Sequence, residues 1–541
     1  MRVVIAQLNL IVGDLEFNTK KILDATRECV KQGASLMITP ELSLTGYPPE
    51  DLVLRKEFLS EVEQKLQVLA NAVGKEAPKL TIVIGHPCFK GEDDLLYNSA
   101  SVFRGGTFIG QYSKLELPNY AVFDERRYFS SDGNPLVFEC EKLSFGINIC
   151  EDIWFPRAPS LTRAAGADVL IVLNASPFHT DKDKERKRKV RDHVVTQDLH
   201  TLFCNMVGGQ DELVFDGSSF AMDKKGELIV GAPEFEESLV TVDFDEFGNP
   251  VKNDFFLKES SGTRQIFDAL VLGVRDYVFK NDYQRVLVGL SGGIDSAVTL
   301  GIAVHAFGKD SVKAVFMRSR YTSKESVTDA KECATQFGVN FVEEDIDAYV
   351  NLFKNRLTKR VTSDITGLTE ENIQSRIRGL ILMTISNNEK RLLLTTGNKS
   401  ELAVGYCTLY GDMCGGFAVL KDVYKTQVYK LAEYLNNVIN GSIPESIINK
   451  SPSAELRYDQ RDEDSLPDYE SLDNILYRII DKNESVEQIV SVGYERKLIE
   501  EIFQLMRKAE FKRRQAPPGV KVSEHAFGRD WRYPISNKFV S

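Results

Sequence analysis

The chain has 541 residues, with 67 lysines and arginines against 79 acids, a formal charge of −12. That length calls for two large domains or about three ordinary ones. A hydrophobic share of 43% with 10% aromatics excludes a disordered or collagenous chain, and the acidic balance argues against a dedicated nucleic-acid binder while leaving nucleotide binding open.

No stretch approaches about 18 consecutive apolar residues, so no membrane span is expected. The opening MRVVIAQLNL reads as a strand rather than a secretory signal. Cys29, Cys88, Cys140, Cys150, Cys204, Cys333, Cys407 and Cys414 are scattered, with no CxxC pair. Neither a disulfide framework nor a structural zinc site is expected, and a reducing, cytoplasmic setting is the natural reading.

In chain order, residues 3–8, 36–39, 81–85, 143–150, 169–174 and 202–207 read as strands. Residues 18–31, 56–73 and 182–200 read as amphipathic helices, and 98–103 with 108–112 as a hairpin about Gly105-Gly106. Strands alternating with helices, plus hairpins, predict a layered α/β or α+β first domain. The charged run 181–191 (DKDKERKRKVR) reads as the solvated face of its helix.

Near residue 245 the texture changes. Residues 243–262 (DFDEFGNPVKNDFFLKESSG) are polar and aperiodic. We place the first domain at 1–245, a linker at 246–262 and the second domain at 263–541. Beyond the linker come a helix at 264–279, strands at 285–290 and 312–317, a helix at 323–337, a strand at 340–344, a helix at 370–387 and a strand at 391–395. This alternation predicts a doubly wound, Rossmann-like parallel sheet. The acidic run 458–464 (YDQRDED) reads as a mobile surface loop.

Two places carry chemistry. The strand at 285–290 runs into a glycine-rich turn that opens a helix, giving Gly289, Leu290, Ser291, Gly292, Gly293, Ile294, Asp295 and Ser296 in succession. Glycines let the backbone approach an anion, and the serine hydroxyls and free helical N–H groups form a phosphate nest. No lysine lies in the turn and no GxGxxG is present, so it is neither a Walker A loop nor a dinucleotide fingerprint. An acid beside polyphosphate calls for a cation, so Asp295 reads as a Mg²⁺ ligand. An ordinary βα turn with Asp295 as helix cap is the plainer alternative.

The second place is Cys150, at a strand end in GINICEDIW. A sharp strand-to-helix turn would expose its sulfur near helical N–H groups, which lower a thiol pKa. A cysteine nucleophile needs a base and an oxyanion stabiliser, and Glu41 and Lys114 fit those needs. His86, His179, His193, His200, His305 and His525 lie in segments that suggest no third, orienting group, which disfavours a Cys–His pair.

The hexapeptide SGGIDS resembles the pyrophosphate loop of the ATP-pyrophosphatase superfamily. Taken alone it leaves NAD, GMP, asparagine and argininosuccinate synthetases open. Four further segments are similar to the NAD synthetase family: ENIQSR at 371–376, TTGNKSE at 395–401, YGDM with KDVYK at 410–413 and 421–425, and FKRRQAPP at 511–518. PSAEL at 452–456 resembles the segment after that family's active-site lid. The resemblance implies that Thr396 and Lys425 serve ATP, that Asn372, Arg376, Glu401 and Lys512 serve deamido-NAD, and that Glu401 shares a Mg²⁺ with Asp295.

In the first half, PELSLTGYP at 40–48, YSKLELPNY at 112–120 and GINICEDIW resemble the nitrilase (carbon–nitrogen hydrolase) superfamily with its Glu–Lys–Cys triad. LPNYAVFDERRYF at 117–129 and GINICEDIW are closer still, resembling the glutaminase domain of the glutamine-dependent NAD synthetases. This resemblance implies an α-β-β-α sandwich, with Glu41 as base, Lys114 on the oxyanion, Cys150 as thioester carrier, and Tyr120, Ser176 and Lys182 around glutamine. Glu125 is a candidate second carboxylate. The combined expectation is an enzyme that amidates deamido-NAD with ATP, Mg²⁺ and glutamine nitrogen, without nucleic acid or membrane partners, as a homo-oligomer. An amidotransferase acting on another adenylated acceptor, or a glutamine or nucleotide sensor, are the alternatives.

Overall fold

The computed structural model describes residues 1–90, 95–253, 262–361, 365–439 and 442–539. The chain divides into two compact units, Met1–Ser260 and Ser261–Ser541. Of the expected linker, residues up to 253 stay with the first unit. Phe244 bridges Pro250, and the Asn253 N–H donates to the Ile229 carbonyl at 3.3 Å. The rest of that linker, 254–261, lies outside the described residues.

The first unit stacks two six-stranded sheets. One runs in the order Ser238–Asp243, Arg2–Gln7, Leu36–Ile38, Thr81–Lys90, Leu95–Arg104, Thr107–Ser113. The other runs Leu228–Gly231, Phe220–Met222, His200–Asn205, Val169–Asn174, Leu143–Ile149, Val137–Cys140. Alternation along each strand sends one set of side chains inward, so Val3, Ile5, Ile38 and Val83 meet Ile147, Ile149, Ile171 and Leu173 between the sheets. Helices Leu15–Lys31 and Lys56–Glu76 bury Ile22, Leu69 and Val73 on the outside of the first sheet. Helix Lys182–Gln197 buries Val190 and Val194 against the second. The result is the α-β-β-α sandwich.

One sequence expectation shifts here. The helix expected over 182–200 stops at Gln197, because Asp198 takes a left-handed φ of 51° and His200 begins a strand paired with Val169. Short strands such as Phe220–Met222 carry too few residues to show a period in the sequence.

The second unit holds a five-stranded sheet, parallel throughout, in the order Asn340–Asp345, Val312–Arg318, Val286–Gly289, Leu392–Thr395, Phe417–Ala418. Helix Leu368–Glu389 covers the face that presents Leu287, Val315 and Leu393. Helices Gly262–Lys280, Ile294–Phe307 and Lys425–Val438 pack on one another. The strand order reverses between Val286–Gly289 and Leu392–Thr395, which opens a crevice at their carboxyl ends. Below that crevice Lys399 is fully buried. Its ammonium pairs with Asp422 at 2.9 Å and donates to the Ser523 hydroxyl at 2.7 Å and the His525 carbonyl at 2.9 Å. No helix among the described residues is long and apolar enough to cross a membrane.

Candidate active sites

Strand Leu143–Ile149 ends one residue before Cys150, which opens the short 3-10 turn Cys150–Trp154 with a φ of 45°. A left-handed backbone at a non-glycine residue costs about 1–3 kcal/mol, so its surroundings must hold it. Asp152 supplies the hold. Its buried carboxylate accepts the Ile149 N–H at 2.8 Å, the Leu115 N–H at 3.1 Å, the Glu116 N–H at 2.8 Å and the Tyr112 hydroxyl at 2.8 Å. One side chain therefore staples the cysteine turn to the segment that begins with Lys114. Burial pushes Asp152 up to about 6, against the opposing pull of those donors.

Glu41 follows strand Leu36–Ile38 in a turn laid against Gly85, where a Cβ would stand 2.5 Å from the Pro40 carbonyl oxygen. Its Oε1 accepts from Lys114 Nζ and from Asn98 Nδ2, both at 2.7 Å, and its Oε2 from the Ala175 N–H at 3.1 Å. Lys114 also reaches both oxygens of Glu125, at 2.8 and 2.9 Å. Glu125 in turn accepts the Tyr47 hydroxyl at 2.8 Å. Glu41 and Lys114 are 0% exposed. Burial works against the Lys114 charge, but Glu125 and Glu41 outweigh it and hold its pKa well above the ordinary value.

Cys150 is buried within the reach of these charges. Burial, and next the Glu41 carboxylate, push its thiol well above the ordinary range, and Lys114 only partly opposes them. This reverses the sequence expectation of a helix-lowered thiol pKa. Desolvation and the neighbouring carboxylates outweigh the few N–H groups of a five-residue turn. A pKa raised in this way favours the protonated thiol.

Tyr120, half-exposed, donates to both oxygens of Glu151 at 3.0 Å, beside Cys150. Lys182 sets its ammonium 4.1 Å from the ring centroid of Trp154, in the cysteine turn, and pairs with Glu185 at 3.2 Å. Ser176 is buried just past strand Val169–Asn174, its hydroxyl 3.5 Å from Arg186. Arg186 corrects a sequence expectation. It belongs to the run expected as a solvated face, yet it is 1% exposed and pairs with buried Asp216 at 3.0 Å, within the electrostatic reach of Cys150. Its spacing of four and eight from Val190 and Val194 puts it on the helix's inner face.

In the second unit, all of Gly289, Leu290, Ser291, Gly292, Gly293, Ile294, Asp295 and Ser296 line a cavity of about 300 Å³, together with Thr396, Glu401 and Lys425. Gly292 has a φ of 80°, and a Cβ there would meet the Ser326 carbonyl at 2.6 Å, so the turn presses directly on helix Lys324–Phe337. Ser296 braces the turn, accepting the Ser291 N–H at 3.1 Å and donating to the Gly293 carbonyl at 2.8 Å.

Asp295 accepts Asn398 Nδ2 at 2.8 Å and the Lys425 ammonium, which also lies 3.6 Å from Glu401. Burial, then the Asp295 charge, push the Glu401 carboxyl up to about 8, with Lys425 opposing. Two acids thus crowd one ammonium, and the raised Glu401 pKa reflects that crowding. A divalent cation bound there would let both ionise. Among the described residues no group of three or more His, Cys, Asp or Glu could hold one. Asp295 and Glu401 would supply carboxylate oxygens, with substrate phosphate and water as further ligands.

Asn372, Arg376 and Lys512 do not line this cavity. They hold its wall from behind. Asn372 accepts the Thr408 hydroxyl at 3.0 Å, Arg376 donates to the Leu409 carbonyl at 3.2 Å, and Lys512 donates to the Gly405 and Cys407 carbonyls at 2.7 Å. Tyr406 and Cys407 of that same loop do line the cavity. Two lining residues escaped the sequence reading. Arg378 donates to the Met317 carbonyl at 3.2 Å, makes no ion pair among the described residues, and has its pKa pushed down to about 10 by burial. Asp462, expected in a mobile surface loop, is instead 5% exposed, turned inward within the turn Asp462–Asp464. Tyr469, seven residues on, and Tyr406, far back in the chain, flank it.

Each unit thus has a recognisable class. Residues 2–250 match the carbon-nitrogen hydrolase family, and residues 266–516 match the NAD synthase family. The glutamine-dependent NAD(+) synthetase of Thermotoga maritima is 43% identical over 578 aligned positions, covering 100% of this chain and 99% of the relative. That of Acinetobacter baylyi is 43% identical over 537 positions, covering 99% and 98%. The solved structure of the Acinetobacter baumannii glutamine-dependent NAD+ synthetase, in complex with adenosine diphosphate, is 41% identical and superposes with a TM-score of 0.80 over 99% of this chain and 98% of its own. The chain belongs to the glutamine-dependent NAD(+) synthetase family.

Proposed function

We propose that this chain converts deamido-NAD to NAD, using ATP and nitrogen from L-glutamine and releasing AMP, pyrophosphate and glutamate. The observation that carries the reading is a pair of separate reaction centres on one chain. One is a buried cysteine set among Glu41, Lys114 and Glu125; the other is a phosphate-type turn facing two crowded carboxylates.

At the first centre Glu41 takes the Sγ proton of Cys150 as sulfur attacks the glutamine carboxamide carbon. A neutral resting thiol requires such a base. Lys114 stabilises the oxyanion, already charged and oriented by its two carboxylates. The C–N bond breaks, ammonia leaves with the proton, and water then hydrolyses the thioester. Tyr120, Ser176 and Lys182 stand around the cysteine turn where glutamine would lie.

At the second centre the carboxylate of deamido-NAD attacks the α-phosphorus of ATP. The turn at 289–296, with Thr396 and Lys425, receives the pyrophosphate, and Arg378 is a further cation for an anionic substrate. Asp295 and Glu401 would hold Mg²⁺, which when bound supplies Lewis-acid stabilisation to the phosphates. Adenylation matters because a free carboxylate repels nucleophiles and has no good leaving group. Asn372, Arg376 and Lys512 shape the deamido-NAD wall through the 405–409 loop. No disulfide joins cysteines among the described residues, which supports a reducing, cytoplasmic setting.

The test supplies the enzyme with ATP, Mg²⁺ and glutamine, plus either deamido-NAD or xanthosine monophosphate. Amidated product from deamido-NAD alone is expected. Product from xanthosine monophosphate alone would overturn the reading.

A further inference from the structure

In the glutaminase step proposed above Glu41 takes a proton, and its two oxygens are not equivalent. Oε1 accepts Lys114 Nζ and Asn98 Nδ2, both at 2.7 Å. A carboxylate oxygen offers about two lone-pair sites, so Oε1 is full. Oε2 accepts a single hydrogen bond among the described residues, from the Ala175 N–H at 3.1 Å, and keeps a site open. The proton leaving Cys150 therefore has one oxygen to go to.

Asn98 completes this asymmetry, and no step above uses it. It lies in strand Leu95–Arg104, opposite Pro87, and is 0% exposed. Proline has no N–H to give, and the Asn98 carbonyl instead accepts the Lys114 N–H at 2.8 Å. One residue thus holds the lysine by its main chain and the glutamate by its side chain. Its Nδ2 must face Glu41, since a carboxylate oxygen only accepts. Its Oδ1 is then sealed from water with no hydrogen-bond partner among the described residues. A buried acceptor left idle costs stability, and packing alone has no need of an amide. The donor is what the site retains.

We infer that Asn98 is a positioning residue for glutamine hydrolysis. By filling the second acceptor site of Oε1 it fixes the Glu41 carboxylate with Oε2 as the atom that receives the proton. As sulfur bonds to the carboxamide carbon, the S–H bond of Cys150 breaks and its proton passes to Oε2, from which it moves on to the leaving nitrogen. The inference rests on the glutaminase reading of the first centre.

The variant Asn98→Ala deletes the side-chain donor and leaves the main-chain bond to Lys114. Glutaminase kcat is expected to fall about 10–100-fold, as for loss of one charge-assisted hydrogen bond, with the KM for glutamine within about threefold of native. The decisive comparison is Asn98→Ala in the native and in the Glu41→Gln background, read as single-turnover acylation of Cys150 by mass spectrometry. A residue that acts through Glu41 has little left to lose once that base is gone. An unchanged kcat, a rise in KM that accounts for the loss, a first unit that no longer melts cooperatively, or full additivity with Glu41→Gln overturns the assignment. Absence of glutamate release by the native enzyme would overturn the glutaminase reading itself, and the inference with it.

Discussion

The two centres solve the same problem, the handling of buried charge, in opposite ways. Around Cys150 the charges are sealed and paired. Lys114 stands between Glu41 and Glu125, and a staple of backbone N–H groups on Asp152 fixes the turn. Around Asp295 acidic groups crowd one another. Glu401 is pushed up to about 8, Asp462 leaves an oxygen unpaired, and Arg378 makes no ion pair among the described residues, all about a cavity of about 300 Å³. The contrast follows from what each must hold. The reacting carboxamide of glutamine is neutral and brings no charge to the cysteine, so that centre must be preorganised. The proposed ATP and deamido-NAD bring several charges, which would complete the second site.

The largest effects should come from breaking the two centres reciprocally. Cys150→Ala is expected to lower glutamine-driven NAD formation by on the order of 10⁴-fold while ammonium-driven formation survives. Asp295→Ala should abolish formation from either nitrogen source while glutaminase activity persists. Collapse of ammonium-driven turnover in folded Cys150→Ala would show that the centres are not separable.

Next in size is Glu41→Gln, with two signs to check. Turnover of glutamine should fall by roughly 10²–10⁴-fold, the usual worth of a general base. Yet Glu41 is a leading cause of the raised thiol pKa, so its removal lowers that pKa and enlarges the thiolate share at pH 8. Alkylation of Cys150 by iodoacetamide, followed by peptide mass spectrometry, should therefore speed up as catalysis slows. In the native protein the same labelling should keep rising with pH through and beyond the ordinary thiol range. A plateau near neutrality would mean a resting thiolate and contradict the sealed, neutral site.

The smallest kinetic contrast, and the sharpest in location, concerns Asp152. Asp152→Ala strands three backbone N–H groups and should cost about 2–5 kcal/mol of stability, read as a lowered melting temperature of the first unit. Glutamine hydrolysis should fall with it, while pyrophosphate exchange at the second site stays near the native rate. Equal losses at both would show that the staple's influence is not local.

Much of this was legible from residues alone, because strong periodicity and glycine-rich turns leave local marks. The strand-to-turn passages at 289–296 and at Cys150 stand where the sequence indicates. What escaped was burial imposed from afar. Arg186 and Asp462 both lie in charged runs that read as solvated surface. For Arg186 a signal existed, since Val190 and Val194 continue its helical face inward. For Asp462 there was none, because Tyr406 and Tyr469 enclose it from outside the 458–464 run. The thiol pKa of Cys150 was misjudged for the same reason. A motif shows which groups are present, but not how thoroughly water is removed from them.

The Lys399 anchor has a practical side. Its ammonium takes two of its contacts from the Ser523 hydroxyl and the His525 carbonyl, and it sits next to Asn398, which holds Asp295. Trimming the protein to just before residue 523 would remove both and leave this buried cation to Asp422 and Asp481 alone. The resulting defect would register as failed ATP chemistry, and a distant architectural fault would pass for a catalytic one.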